Sequence, residues 1–312
     1  MINFRFHIVS LIAIFLALAL GVVIGAGVID RGVVDALNTR LDRVEAKSNR
    51  IQGENDTLSD RNKQLQDMIG DLQPFAVGGR LLGDDVGVVA VRGVDGDRVG
   101  ALVAAAQQAD ATVTGTLWLE DKWALPDDDS VKALQEALGT TTKNKGNLRT
   151  EGYQQLAQRL AVPESTSGSE DLLVVLQRAG FLGFDAVANS TINNFPGRNA
   201  AITLVVGNKG AVQPDSVALP LGTQLHTAEV PTVVAGVWAD VSDGPARAEA
   251  VQPIRDAELA KTVSTVDDLD LVEGPSTVVL AMSDLFLTPP VVGHYGYGGG
   301  PNVTPLPAPA TS

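Results

Sequence analysis

Residues 8–29 read IVSLIAIFLALALGVVIGAGVI, an apolar run in which Ser10 is the single hydroxyl and no side chain is charged. About 20 such residues match the hydrocarbon core of a bilayer at the helical rise, so the run reads as a transmembrane helix. Everything downstream is therefore tied to a membrane. Within the run Ala17, Gly21 and Gly25 recur every fourth residue. That spacing makes a small-residue groove suited to close packing between membrane helices.

On its amino-terminal side lies a short tail, residues 1–7, with Arg5; on the other side Arg31, Arg40, Arg43 and Lys47 follow closely. A literal positive-inside count favours a cytoplasmic domain, yet long domains cross largely regardless of charge, and a short basic lead into an apolar run also resembles a secretory signal. Ala17-Leu18-Ala19 has the small-residue look of a cleavage site but sits in mid-span. The expectation is an uncleaved signal anchor with the large domain outside the cytoplasm. An apolar helix favours the inner membrane, because outer-membrane spans are barrels.

Directly after the span, residues 33–73 carry a heptad pattern. Val34, Leu41, Ser48, Asn55, Asn62 and Ile69 fall at a, and Leu37, Val44, Ile51, Leu58, Leu65 and Leu72 at d, with no stutter. The d column is wholly aliphatic. A buried Asn at a pairs with its mate in a parallel two-stranded coil and weakens other registers, so Asn55 and Asn62 point to a homodimer in one register. Arg40 at g and Glu45 at the following e can pair between strands. At the helical rise some 40 residues span about 60 Å. The alternative is one amphipathic helix lying on its own domain. Pro74, with Gly78 and Gly79, reads as the end of the coil.

Beyond it the pattern changes to short aliphatic runs alternating with helical periods. Strands are expected at 86–91, 112–117, 201–206, 232–237 and 276–281, and helices at 99–109, 130–138, 148–160, 171–179 and 246–255. Short, β-branched strands of this kind are buried on both faces. The fold class is therefore α/β: a transmembrane helix, a long parallel coiled coil, then a soluble α/β sandwich with a mostly parallel sheet over 86–292. PESTSGS at 163–169 reads as a loop between possible halves. From Gly293 the tail HYGYGGGPNVTPLPAPATS is too rich in Gly and Pro to order itself.

Composition narrows the function. With no cysteine, the 312-residue chain has no disulfide, thiolate metal site or cysteine nucleophile. A net charge of −14 disfavours nucleic acid as a partner. No nucleophile elbow, P-loop, dinucleotide fingerprint or metal-spaced histidine pair is present, so neither enzyme activity nor a cofactor is expected. His7, His226 and His294 lie far apart. His294, beside Tyr295 and Tyr297, is the one weak metal candidate, and a solvated tail histidine is the preferred reading. Acidic groups gather at Asp84-Asp85, Asp127-Asp128-Asp129 and Asp267-Asp268 with Asp270, but none has calcium-loop spacing. Asp129 and Ser130 read as helix-capping residues, and Ser264 to Asp268 as a packed turn beside the sheet edge.

The opening MINFRFHIVSLIAIFLALALGVVIGAGVIDRG, the heptads from Val34, the VGVVAVRG and PTVVAG strands and STVDD together resemble the mycobacterial copper transport protein B (MctB-like) family. The likeness spans nearly the whole chain. It implies an envelope protein named for copper efflux and proposed as an outer-membrane channel. It also implies a second role, since related actinobacterial proteins are described as membrane partners in cell separation that control peptidoglycan hydrolase activity. Copper enters as a partner through the resemblance alone. Copper(I) prefers Cys and Met sulfur and copper(II) imidazole, whereas the chain offers isolated histidines and only Met1, Met68 and Met282. Nor do short strands interspersed with helices make a membrane barrel. The residues by themselves read as a receptor or scaffold with an envelope protein partner.

Overall fold

A computed structural model describes residues 4–28, 31–162, 170–238 and 245–298. The 163–169 loop and the tail beyond 298 lie outside the described residues. The chain divides into two compact units, residues 1–66 and 67–312.

In the first unit, helix α1 (Phe4–Val28) is long and apolar enough to cross a membrane over Phe4–Gly25. It begins before the expected span because Phe4 and Phe6 extend the apolar run. A Cβ added at Gly21 or Gly25 would meet nothing within 4 Å, so this side of α1 is open in the single chain.

Helix α2 (Arg31–Val77) is continuous for 47 residues and enters the second unit. Its aliphatic heptad side chains from Val34 to Leu65 are 43–65% exposed in the single chain. Ser48, Asn55 and Asn62 are exposed as well. Pro74 does not end the helix, contrary to expectation. It forfeits one ladder bond, to the Gly70 carbonyl, and the next turn is held by Val77, which is fully buried. The stop comes at Gly78 and Gly79, where Gly78 N donates to Pro74 O (3.0 Å) and Gly79 takes φ +72°.

The second unit is a seven-stranded sheet: β1 (Val86–Val91), β2 (Gly115–Leu119), β3 (Leu182–Ala186), β4 (Ala201–Gly207), β5 (Thr232–Val237), β6 (Ser264–Val266) and β7 (His294–Tyr295). Spatial order is β3-β2-β1-β4-β5-β6-β7. Every neighbouring pair is parallel except β2 with β3, which is antiparallel. Every residue of β1, β2, β4, β5 and β6 is buried, as a parallel sheet covered by helices on both faces requires. The covering helices are α3 (Gly96–Gln108), α4 (Asp128–Leu138), α5 (Lys145–Ala161), α6 (Leu172–Arg178), α7 (Ala218–Thr227), α8 (Gln252–Arg255) and α9 (Gly274–Leu285). α3 packs on α9, while α5 packs on α4 and α7.

Several expectations need correction. The run at 276–281 is not a strand but the middle of α9, whose Val278, Val279, Ala281 and Met282 are all buried. An apolar run covered on several sides shows no period that separates helix from strand. The second strand is shifted to 115–119, leaving Thr112 in an isolated bridge to Asp85. The helix at 246–255 is a 3-10 turn (Pro245–Ala250) followed by short α8, with Pro253 in its first turn. At α4 the cap is Asp127, not Asp129: its carboxylate accepts from Ser130 N at 2.7 Å. Residues 264–268 are not a turn but begin with β6, and the tail is ordered from His294 to Gly298, with Tyr295 buried at the sheet edge.

An ion pair ties the carboxyl end of α5 to the amino end of α6. Arg159 on α5 donates to both oxygens of Asp171 (2.9 and 2.7 Å) and to the carbonyls of Phe195 and Pro196. Asp171 also caps α6 by accepting from Leu173 N.

Candidate functional site

Doubly wound sheets usually bind ligands where the strand order reverses, here between β1 and β4. That crevice is closed. Ala211 N donates to Arg92 O at 2.6 Å, and Gly93, at φ +93°, admits the Lys209 carbonyl where a Cβ would sit 2.6 Å away. The open space lies one strand over, beyond the carboxyl ends of β4 and β5. It is a cleft of about 570 Å³ whose lining includes Asp215, Trp238, Glu249, Gln252 and Asp256. Gln252 already donates to Asp256 (2.7 Å).

Next to it the carboxyl end of β6 carries a polar cluster. Arg255 of α8 donates to Thr265 Oγ1 (2.9 Å), Asp267 Oδ2 (2.8 Å) and Tyr295 O (3.0 Å). Asp267 is fully buried and also accepts from Tyr297 N (2.8 Å) and Gly298 N (3.2 Å). Gly296, at φ +121°, makes this possible, because a Cβ there would collide with the Asp267 carboxylate. The ladder thus pins residues 293–298 to the sheet. His294 belongs to the same network: Nδ1 lies 2.9 Å from Thr265 Oγ1 and Nε2 3.1 Å from Ala260 O. Because Thr265 Oγ1 accepts from Arg255, its hydroxyl proton is free for Nδ1, which leaves Nε2 as the donor to Ala260. His294 is therefore half-buried and bonded at both nitrogens rather than solvated. Burial, then the nearby Arg255 charge, holds its pKa below the usual imidazole range.

Asp268 is the opposite case. It is fully buried and neither carboxylate oxygen has a hydrogen-bond partner. Burial first, then the charges of Asp267, Glu273 and Asp270, pushes its pKa up to about 7. Asp270 Oδ1 faces Trp238 N at 3.4 Å, while Glu273 accepts from Tyr297 Oη at 2.9 Å.

The sequence marks Asp267-Asp268 with Asp270 as one acidic group and His294 apart from it, and the fold brings them to one edge. Arg255, Thr265 and Trp238 were missed; the signal available was the acidic pair closing STVDD. The other acidic groups do not join them: Asp84 and Asp85 lie at the amino end of β1, where their carbonyls accept from Thr112 N and Ala200 N, and Asp127 caps α4. His7 lies in α1 and His226 is exposed near the end of α7. Met282 is buried in α9 and Met68 is exposed on α2. Among the described residues no three His, Cys, Asp or Glu side chains are grouped to hold a metal.

Comparison with known proteins agrees along the chain. The family described as "Copper transport outer membrane protein, MctB" matches residues 1–305. "Copper transporter MctB" of Mycobacterium tuberculosis (strain ATCC 25618 / H37Rv) is 29% identical over 331 residues, covering 96% of this chain and 98% of the relative. The protein of the same name from Mycobacterium bovis (strain ATCC BAA-935 / AF2122/97) gives the same values. That of Mycobacterium leprae (strain TN) is 30% identical over 324 residues, covering 98% of this chain and all of the relative. A membrane-type helix, a long heptad-bearing helix and an α/β sheet unit, matched from end to end, place the chain in the MctB copper transport outer membrane protein family.

Proposed function

We propose that the protein is a membrane-anchored envelope component of copper homeostasis, acting as a parallel coiled-coil homodimer that presents two α/β domains outside the cytoplasm. The copper assignment is supported by relatives named as copper transporters over nearly their full length. The dimer rests on one observation: an unbroken 47-residue helix carries the heptad side chains uncovered in the single chain. Such a stripe is stable in water only when a second surface covers it.

The donor set does not fit copper held by this chain itself. Soft copper sites need clustered sulfur or imidazole, and the described Met and His residues stand apart, one Met buried and His294 committed to hydrogen bonds. A single membrane-type helix among the described residues encloses no pore. The role is accordingly one of assembly, with transport performed by a ring of protomers or a partner. The same mismatch favours a second reading, in which the dimer is a non-catalytic scaffold in cell separation that regulates a peptidoglycan hydrolase through a membrane partner.

The deciding experiment uses a deletion strain complemented with the natural chain or with Asn55→Lys/Asn62→Lys, scoring copper accumulation and septum resolution side by side. Copper accumulation corrected by the natural chain and not by the variant supports the first reading. Normal copper with chained cells supports the second, and correction of both defects by the variant overturns the coil.

A further inference from the structure

Along α2 the g column of the heptad reads Arg40, Lys47, Glu54 and Arg61, then Met68 and Phe75. The flank of the seam is charged through the first unit and turns apolar where the helix enters the second. Charged g positions are the ordinary solvated edge of a two-stranded coil; apolar ones widen the buried face. Met68, Leu72 and Phe75 are all exposed, Phe75 at 85%, and Leu82 in the following turn is 75% exposed. These last two are the most exposed large apolar side chains among the described residues of that unit. They cannot be tucked in by a small rotation, because Val77 and Leu81 beside them are fully buried and Leu81 N donates to Ala109 O at 2.9 Å.

We infer that Met68, Phe75 and Leu82 form a second contact between two copies of this chain, which clamps the paired α/β domains together at the head of the stalk. The inference rests on the coiled-coil reading. The occupant follows from continuity: Ile69 and Leu72 are the last a and d pair, and across a parallel seam the partner helix runs at about 8–10 Å. Phe75 lies one turn beyond Leu72 on that flank, so the nearest surface able to cover it belongs to the second copy.

The absence of cysteine makes the test direct. Single-cysteine variants of the full chain, in native membranes, are treated with a short bis-maleimide: Ile51→Cys reports the seam, Leu82→Cys the clamp, and Asp129→Cys, a 96% exposed site on α4, the background. The clamp predicts covalent dimer from Leu82→Cys comparable to that from Ile51→Cys, with Asp129→Cys near zero. Adding Phe75→Glu should abolish the Leu82→Cys dimer and leave the Ile51→Cys dimer intact. Cross-linking at Ile51 without cross-linking at Leu82, or a Leu82 dimer indifferent to Phe75→Glu, overturns the clamp while the coil stands. Failure at both positions removes the coil and the clamp with it.

Discussion

Asp268 ties the stability of the α/β unit to pH. A carboxyl whose folded pKa is raised holds its proton more tightly when folded, so its burial is harmless in acid and destabilising once the unfolded form has ionised. Stability should fall as pH rises from about 4 to about 7 and level off above. Asp268→Asn keeps the shape and removes the charge. Urea denaturation followed by tryptophan fluorescence should show little change at pH 4 and a gain on the order of 4 kcal/mol at pH 8; equal curves at pH 8 would mean that Asp268 finds a partner. Arg159 predicts the reverse sign. Arg159→Ala leaves the Asp171 carboxylate buried without its partner, a change expected to cost about 3–5 kcal/mol and visible as a lower urea midpoint at neutral pH. Neither effect was legible in the sequence. STVDD shows two adjacent acids, but which is paired depends on the alternation of strand faces and on Arg255 arriving from another element.

Elements were legible to the degree that local pattern determines them. β1, β4 and β5 were found almost to the residue because aliphatic runs bounded by Gly and turn residues have one reading in an α/β chain. α9 was mistaken for a strand because Val278, Val279 and Leu280 lie in a helix buried nearly all round, where the amphipathic period vanishes. β3 and β7 were missed for the opposite reason: GFDA and HY carry little strand signal, and their pairing is dictated by neighbours. α2 is the element whose period runs longest, and its prediction follows from Asn55 and Asn62. Replacing both with Lys places charges in the seam. Analytical ultracentrifugation of the full chain in detergent is expected to report a dimer for the natural chain and a monomer for the variant, and a variant that sediments like the natural chain would exclude this seam.

For the molecule as a whole, the order of parts was plain from the sequence: apolar span, heptads, alternating strands and helices. The candidate site was not, because Trp238, Arg255 and Asp267 come from three separate stretches and share no spacing. The donor inventory makes a prediction at this scale. Titrating the purified full chain in detergent with copper(I) should show no stoichiometric high-affinity binding; a tight one-to-one site would restore direct handling by this chain. The short strand at residues 294–295 also has a practical consequence for anyone expressing fragments. Ending a recombinant piece before Gly293 would strip Arg255 of the Tyr295 carbonyl, unroof the Asp267 carboxylate and bare the backbone of β6 as a sticky rim. Fragments should therefore retain Gly298, and affinity handles belong beyond it.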